Sequence, residues 1–446
     1  MFLQTTADNL YSLPKHDLLN KTRRIPISTS TYPPTIIEII TAAPAALDLT
    51  ERAHLDQVRA DADTLFNAYP DLSALTELET MLVGNKSEVP LSVHLAVKLA
   101  KSKRIVSAID EAVHISIIFA VYKEHERIHK RDETHPYGEN FLMRKIEQLG
   151  WLFDAYPNFS WNMLVIDDGC PDHSGHIAQE ILAAEYDGDN VQVLFLADAI
   201  AEKLSIITPM TSPNDSRKGG SIEYGMWVAA QQNAPNHIIL FTDADLSTHL
   251  GQTGLLVDGI INEGKDSAIG SRRERNSIVV KKGSRNTRGK LFIYLWKRVI
   301  YNLNYIVDTQ CGFKAFTAVT VRDIINDMIE KQFAFDIELL LKTELRRPQS
   351  IAKVGIGWID SEALSTTTDL QPYLSMLQSM VKMYRQYLPA RAEADEFAAF
   401  IESLSEETWQ QLVAAVPSEI AEREPATFAK YNAVCVADLQ AILDNN

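Results

Sequence analysis

The run VHISIIFAV at residues 113–121 constrains the fold of this chain more than any other feature. A nearly continuous apolar run rich in β-branched side chains is typical of a strand covered on both faces of a parallel sheet. Similar runs follow at residues 162–166 and 237–241, with helical segments between them. Strands that alternate with helices predict a doubly wound α/β domain, whose ligands bind beyond the carboxyl ends of the strands.

The length of the chain predicts more than one structural region. Its 446 residues exceed the roughly 250–300 residues at which single hydrophobic cores stop growing. Apolar residues recur at helical spacing between residues 47 and 110 and again beyond residue 389. We therefore predict a helical accessory region at 1–110, an α/β domain at 111–388 and a C-terminal helical appendage at 389–446.

The composition excludes several classes of partner. A net charge of -16 would repel a nucleic-acid backbone, so we expect no nucleic-acid partner. The chain has 3 cysteines, too few for a disulfide framework, which favours a reducing cytoplasm. We find neither a signal peptide nor a transmembrane run in the sequence. The apolar side of residues 373–388 predicts a core helix or, as an alternative, peripheral contact with a membrane.

Acidic clusters follow all three strand-like runs. They are Tyr122 with Glu124, Asp167 with Asp168, and Asp243 with Asp245. Carboxylates beside a nucleotide diphosphate would repel it unless a divalent cation bridges them, and hard cations such as Mg²⁺ prefer carboxylate and phosphate oxygens. We therefore expect Asp245, together with Asp243, to bind a metal. A single acidic pair could equally be a helix cap or a solvated loop.

A glycine-containing segment, Lys218-Gly219-Gly220-Ser221, lies between the second and third clusters. Glycines permit close backbone approach, and the start of the following helix offers free N–H groups to an anion. The lysine adds positive charge. An ordinary glycine turn capped by Ser221 is the alternative interpretation.

The downstream motifs carry a resemblance to a known family. They are Gly270-Ser271-Arg272, then Asp308-Thr309-Gln310-Cys311-Gly312-Phe313-Lys314, then Phe335-Asp336-Ile337-Glu338-Leu339-Leu340. In this order, residues 113–388 resemble family 2 glycosyltransferases of the GT-A fold, and most of all the dolichyl-phosphate glucosyltransferase and polyprenyl-phosphate glycosyltransferase branch. The resemblance implies a GT-A core between helical N- and C-terminal additions. It also implies Mn²⁺ or Mg²⁺ as cofactor and a nucleotide-diphosphate sugar as donor.

The resemblance also implies roles for particular residues. The nucleotide would contact Tyr122, Glu124, Asp167, Lys218 and Asp243, and the metal would contact Asp245. Arg272 and Asp336 would lie near phosphate groups or the acceptor, and Asp308 and Gln310 would line the reaction centre. Lys123 and Cys170 stand where the family usually has Asn and Ser, so contacts with the base and ribose can differ.

Enzymes of this family usually invert the anomeric centre by direct displacement. With a hydroxyl acceptor, a carboxylate must take the proton, and Asp308 is the candidate base. With a lipid phosphate, the oxyanion is already nucleophilic, and Asp308 would orient groups instead. The acceptor is thus a hydroxyl or a lipid phosphate, and the sequence does not identify it.

Two other functions have to be weighed against a glycosyltransferase. The segment His125-Glu126-Arg127-Ile128-His129 matches the HExxH pattern of zinc proteases, and His135 stands where a third ligand could be. Asp132 replaces the glycine of that longer pattern, and the segment directly follows a strand. A protein that binds a sugar nucleotide without turnover is the second alternative.

Overall fold

A mixed sheet of seven strands forms the centre of the chain. The structure, a computed structural model, describes residues 32–280, 286–360 and 372–444. The strands are β1 (Val113–Val121), β2 (Phe159–Asp167), β3 (Val191–Phe195), β4 (Ile238–Thr242), β5 (Ser267–Ser271), β6 (Ile278–Val280), β7 (Phe313–Thr317), β8 (Ile351–Gly355) and β9 (Gly357–Ile359). The sheet order is β3-β2-β1-β4-β7-β5-β8, and β6 pairs with β9 in a separate ribbon.

The sheet is parallel except at β7, which runs antiparallel to β4 and β5. From β1 the chain continues outward to β2 and β3 and then returns to β4 on the other side of β1. This reversal creates a crevice at the carboxyl ends of β1 and β4, where open α/β sheets bind ligands. The predicted α/β fold with a parallel-dominated sheet is confirmed.

Helices cover both faces of the sheet. The N-terminal helices are α1 (Pro34–Ala42), α2 (Arg52–Ala68), α3 (Leu72–Gly84) and α4 (Leu91–Ser107). The helices between strands are α5 (Phe141–Phe153), α6 (Ser174–Glu185), α7 (Leu196–Ala201), α8 (Gly219–Ala230), α9 (Thr253–Ile261), α10 (Asn286–Val299), α11 (Ala318–Ile324) and α12 (Phe335–Arg346). The last helices are α13 (Tyr373–Tyr387), α14 (Ala392–Ser403), α15 (Glu406–Ala414), α16 (Ser418–Ala421) and α17 (Val436–Asp444).

Side chains of β1 alternate between two hydrophobic clusters, as the pleat requires. Ile117 and Phe119 belong to a cluster that includes α2, α3 and α4, whereas Ile118 belongs to one that includes α13, α14 and α15. The N-terminal helices therefore share a core with one face of the sheet and the C-terminal helices with the other. The domain boundaries at 110/111 and 388/389 stay predictions, and residues 1–31 and 445–446 lie outside the described residues.

Helix α13 was predicted either to pack in the core or to lie on a membrane. Its apolar side chains are buried, among them Leu377, Met380 and Tyr384, and it packs against α10 and α14. The apolar face of α13 is therefore covered by the chain itself. None of the helices in the described ranges is long and apolar enough to cross a membrane.

Candidate active site

The carboxyl end of β1 places Tyr122 at the rim and Glu124 inside. Tyr122 is exposed, whereas the Glu124 side chain is buried. Arg127 donates to both Glu124 carboxylate oxygens, from Nε at 2.7 Å and from Nη2 at 2.8 Å. The Glu124 backbone N–H donates to Ser174 Oγ at 2.9 Å. The side chain expected to contact the nucleotide thus has a cationic partner that the sequence interpretation did not include.

Asp167, at the end of β2, fixes the turn into α6. Its carboxylate accepts backbone hydrogen bonds from Gly169 (2.9 Å), Cys170 (3.0 Å) and Gly175 (2.8 Å). A side chain at Gly175 would collide with this carboxylate. Because three backbone donors already hold it, Asp167 shapes the site whether or not it also contacts the nucleotide.

Its neighbour Asp168, for which no role was predicted, binds the glycine-containing segment. The Asp168 carboxylate accepts the Lys218 backbone N–H at 3.0 Å and the Ser221 hydroxyl at 2.6 Å. Ser221 is bonded to Asp168 and does not cap α8, so the capped-turn alternative is not observed. Asp168 therefore joins the end of β2 to the start of α8.

Lys218 reaches across the crevice to the third acidic cluster. It lies immediately before α8 with φ 75, a left-handed backbone that is uncommon for a residue with a side chain. Its Nζ forms an ion pair with the Asp243 carboxylate. Burial alone would raise the pKa of Asp243, but the Lys218 ammonium, with smaller contributions from the charges of Arg272 and Lys314, outweighs burial and lowers it. Asp243 is therefore an anion that already has a cationic partner.

Asp245 is the other half-buried carboxylate after β4. Its Oδ1 accepts from the Ser247 backbone N–H at 3.0 Å and from the Ser247 hydroxyl at 2.6 Å. The Lys145 ammonium donates to the Asp245 backbone carbonyl at 2.8 Å. Both side-chain bonds use Oδ1 and orient the side chain. Oδ2 has no hydrogen-bond partner among the described residues, so it can bind another ligand.

The surroundings of Asp245 fit a divalent cation. The nearby Glu139 side chain is fully buried, and neither carboxylate oxygen has a hydrogen-bond partner among the described residues. Burial raises the pKa of Glu139 to about 7; the Arg127 guanidinium, 4.0 Å away, opposes this rise, whereas Asp245 and Glu124 add to it. Concentrated carboxylate charge of this kind favours a hard cation. In the described ranges, no three His, Cys, Asp or Glu side chains form a metal cage.

A buried ion pair joins Arg272, after β5, to Asp308. The guanidinium donates from Nε (2.8 Å) and Nη2 (2.7 Å), and the Arg272 backbone N–H adds a third bond at 2.7 Å. Burial alone would raise the pKa of Asp308, but the charge and hydrogen bonds of Arg272 outweigh it and hold the pKa well below its usual range. A carboxylate held in this way is a weak proton acceptor.

A second buried pair lies beside the first. Lys314, in β7, donates to Asp336 at 2.5 Å and to the Cys311 carbonyl at 2.5 Å. Asp336 is the second residue of α12, and its carboxylate pairs with Lys314 instead of capping that helix. Gln310 is half-buried, and its amide donates to the Thr309 carbonyl at 3.4 Å. The predicted residues that follow β4 and β5, precede β7 and begin α12 therefore lie in one cluster. In this cluster each carboxylate is paired with a lysine or an arginine.

The described geometry does not support a zinc protease. Residues 125–129 lie in turns instead of a helix, so the two histidines do not share the helix face that HExxH needs. His125 faces Asp172 at 3.6 Å, whereas His129 stacks on His135 with ring centroids 3.9 Å apart. Among the described residues, these histidines do not belong to a group of three His, Cys, Asp or Glu side chains that could hold a zinc ion.

Sequence reasoning missed several functional candidates: Arg127, Glu139, Lys145, Asp168 and Lys314. Two of these had a visible signal, because Asp168 adjoins Asp167 and Lys314 stands inside the quoted motif of residues 308–314. The other three lie in the loop and helix after β1. Their relation to Asp245 exists only after folding.

Known proteins resemble more than half of the chain in sequence. No protein-family model matches it. A dolichyl-phosphate beta-glucosyltransferase of Trichomonas vaginalis is 28% identical over 257 residues, which cover 56% of this chain and 67% of the relative. The enzyme of the same name from Drosophila melanogaster is 27% identical over 286 residues, covering 62% and 76%, and the human one is 26% identical over 274 residues, covering 59% and 72%.

Solved structures also resemble part of the chain. Glucosyl-3-phosphoglycerate synthase from Mycobacterium tuberculosis aligns with 66% of this chain and 85% of its own, at 15% identity and a TM-score of 0.43. A likeness of that size carries no functional argument. The sequence relatives do carry one, because all three are named as glucosyltransferases and each match covers more than half of the chain. The chain is thus similar in sequence to the dolichyl-phosphate beta-glucosyltransferases, and these relatives support a glycosyltransferase of family 2 with the GT-A fold.

Proposed function

We propose that the chain transfers a glucosyl residue from a nucleotide-diphosphate sugar to the phosphate of a polyprenyl phosphate. The names of the relatives support both the sugar and the acceptor. The observation that carries the proposal is the buried Arg272–Asp308 pair. Asp308 is held as a weak base by Arg272, and a phosphate acceptor needs no base.

The donor side of the proposal rests on the first half of the site. Asp245, with Asp243 beside it, would hold Mn²⁺ or Mg²⁺, which when bound offsets the charge that grows on the leaving diphosphate. Lys218 would exchange part of its pairing with Asp243 for the nucleotide's phosphates. Tyr122, at the rim, would contact the base or ribose.

The remaining donor contacts are assigned to Glu124 and Asp167. Both carboxylates already accept hydrogen bonds inside the protein, so we expect them to present rigid surfaces to the nucleoside. Preorganised contacts of this kind cost no reorganisation when the donor binds.

The acceptor side rests on the residues after β5 and β7. Asp308 accepts from Nε and Nη2 and so fixes the orientation of the guanidinium. Arg272 would bind the acceptor phosphate through its other guanidinium N–H groups. Asp336 and Gln310 would border the acceptor. The phosphate oxygen then attacks the anomeric carbon opposite the leaving nucleotide, with inversion, and positioning supplies most of the rate.

The acceptor is tested with three compounds of related structure. The protein is incubated with UDP-, GDP- or TDP-glucose, Mn²⁺ and a short polyprenyl phosphate, the matching polyprenol or glycerol phosphate, and products are identified by mass spectrometry. We expect glucosyl transfer to the polyprenyl phosphate. Transfer to the polyprenol alone would refute a phosphate acceptor, and transfer to glycerol phosphate alone would refute a lipid one.

A further inference from the structure

The turn that carries Arg272 is closed by its own hydrogen bonds. In residues 271–277, the Ser277 hydroxyl donates to the Ser271 carbonyl at 2.7 Å. The Ser277 backbone N–H donates to the Glu274 carbonyl at 3.0 Å. Movement of one end of this turn is therefore transmitted to the other end, where the Arg272 side chain begins.

Lys86, just after α3, forms hydrogen bonds with the C-terminal end of this turn. Its ammonium donates to the carbonyl of Arg275 at 2.8 Å and to the carbonyl of Ser277 at 2.9 Å. These contacts join residues 189 and 191 positions apart in the chain. The N-terminal helical region is thus bonded to the backbone only three to five residues beyond Arg272.

Glu79, a buried residue of α3, makes a second connection. Its carboxylate accepts from Lys98 and Lys101, both at 2.6 Å, and from the Asn276 side-chain amide at 3.3 Å. Two lysines on α4 therefore hold the carboxylate that receives Asn276. Asn276 is thus bonded to a carboxylate of the N-terminal helices, that of Glu79.

Lys98 makes a third connection, at the end of β8. Its buried ammonium also donates to the Gly355 carbonyl at 2.7 Å. Gly355 pairs with Ser271 in the sheet register, and any side chain at position 355 would collide with Asn276. The N-terminal helices thus hold both the Arg272 turn and the strand beside it.

We infer that the N-terminal helical region positions Arg272 for the reaction, with Lys86 and Glu79 as positioning residues that fix the 271–277 backbone. The inference rests on the proposed function, in which Arg272 binds the acceptor phosphate. A reacting group displaced by about 1 Å can cost about 100-fold in rate. Loss of one backbone anchor should therefore affect the acceptor more than the donor.

The test uses Lys86→Met, because Lys86 is half-buried and the buried Glu79 keeps its pairs with Lys98 and Lys101 when Lys86 is replaced. Removal of Glu79 or Lys98 would break a buried ion pair and could prevent folding. We expect Lys86→Met to raise KM for the polyprenyl phosphate and to lower kcat/KM about 10-fold. KM for the sugar nucleotide should stay at the wild-type value, and Lys86→Arg should retain activity.

Lys103→Met is the matched control. Lys103 is a lysine of α4 that pairs with Asp63 at 2.7 Å and contacts Trp151, with no bond to residues 271–277 among the described contacts. It should leave both KM values unchanged. Amide hydrogen exchange should rise at residues 271–277 in Lys86→Met and stay unchanged in β1.

Two results would overturn the inference: unchanged exchange at 271–277, or equal changes of both KM values. If the wild-type protein transfers glucose to no phosphate acceptor, the proposed function fails separately. Hydrogen exchange then decides on its own whether Lys86 holds the turn.

Discussion

At the scale of residues, the site is a set of cations paired with carboxylates. Lys218 pairs with Asp243, Arg272 with Asp308 and Lys314 with Asp336. Paired charges are held in place before the substrates arrive, which lowers the reorganisation needed during reaction. The sequence identified one member of each pair or both, but it could not pair them. Arg272 and Asp308 are 36 positions apart, and no local pattern connects them.

Replacement of Arg272 tests the acceptor side directly. Arg272→Ala removes the guanidinium fork, so we expect transfer to polyprenyl phosphate to fall about 100-fold or more. The neighbouring Arg273 is exposed, and Arg273→Ala should stay within about twofold of the wild-type rate, as usual for surface changes. Steady-state kinetics at saturating donor measure both. Equal losses in the two variants would indicate a general effect of surface charge, contrary to our assignment.

At the scale of elements, apolar runs predicted the central strands well and missed others. The run at residues 113–121 is β1, and the runs at 162–166 and 237–241 correspond to β2 and β4 within a few residues. Strand β7 was not predicted, because its sequence FKAFT has a lysine at the second position and is not a continuous apolar run. Lys314 can be buried there only because Asp336 pairs with it. The antiparallel placement of β7 follows from long-range pairing that periodicity does not encode.

Contact between α4 and α9 depends on a glycine. A side chain at Gly254 would collide with the Ser102 backbone carbonyl of α4, whereas a side chain at Gly84, at the end of α3, would meet nothing within 4 Å. We expect Gly254→Ala to lower the free energy of unfolding by about 1–3 kcal/mol. Gly84→Ala should be neutral or slightly stabilising. Urea unfolding measures both, and a Gly254→Ala midpoint at or above that of Gly84→Ala would contradict this packing.

At the scale of the whole molecule, both helical additions are layers of the central fold. Each shares a hydrophobic cluster with one face of the sheet. The sequence predicted these helices from their spacing, but it could not reveal which face each set covers. The sequence also could not reveal the hydrogen bonds from the N-terminal helical region to the turn at 271–277. These bonds join residues 189 to 197 positions apart and form only when the helices pack beside that turn.

The buried histidines make stability depend on pH, and His249 is the most shielded. It lies after β4, its Nδ1 accepts the Gly251 N–H at 2.9 Å, and burial lowers its pKa to about 3. The unfolded chain binds this proton below about pH 6.5, but the folded chain does not until about pH 3. The contribution of His249 is therefore present above about pH 6.5 and is lost as the pH falls.

This dependence is measured with His249→Asn, which keeps a side-chain acceptor for Gly251 but cannot titrate. Between pH 7.5 and pH 5 the wild-type protein should lose about 2 kcal/mol more unfolding free energy than the variant. Urea unfolding of both proteins at the two pH values gives the difference. Identical losses would mean that His249 is accessible to protons in the folded state.

The central claim is that Asp245 holds a divalent metal needed to cleave the sugar nucleotide. It is tested most directly by measuring how nucleotide release depends on the metal and on Asp245. Nucleotide release from the sugar nucleotide is followed with acceptor phosphate and Mn²⁺, in the wild-type protein and in Asp245→Ala. Asp258→Ala, a carboxylate variant in α9, is the control. We predict release that stops when the metal is chelated, falls about 100-fold or more in Asp245→Ala and is unchanged in Asp258→Ala. Metal-independent release, or wild-type release by Asp245→Ala, would contradict the assignment of this site.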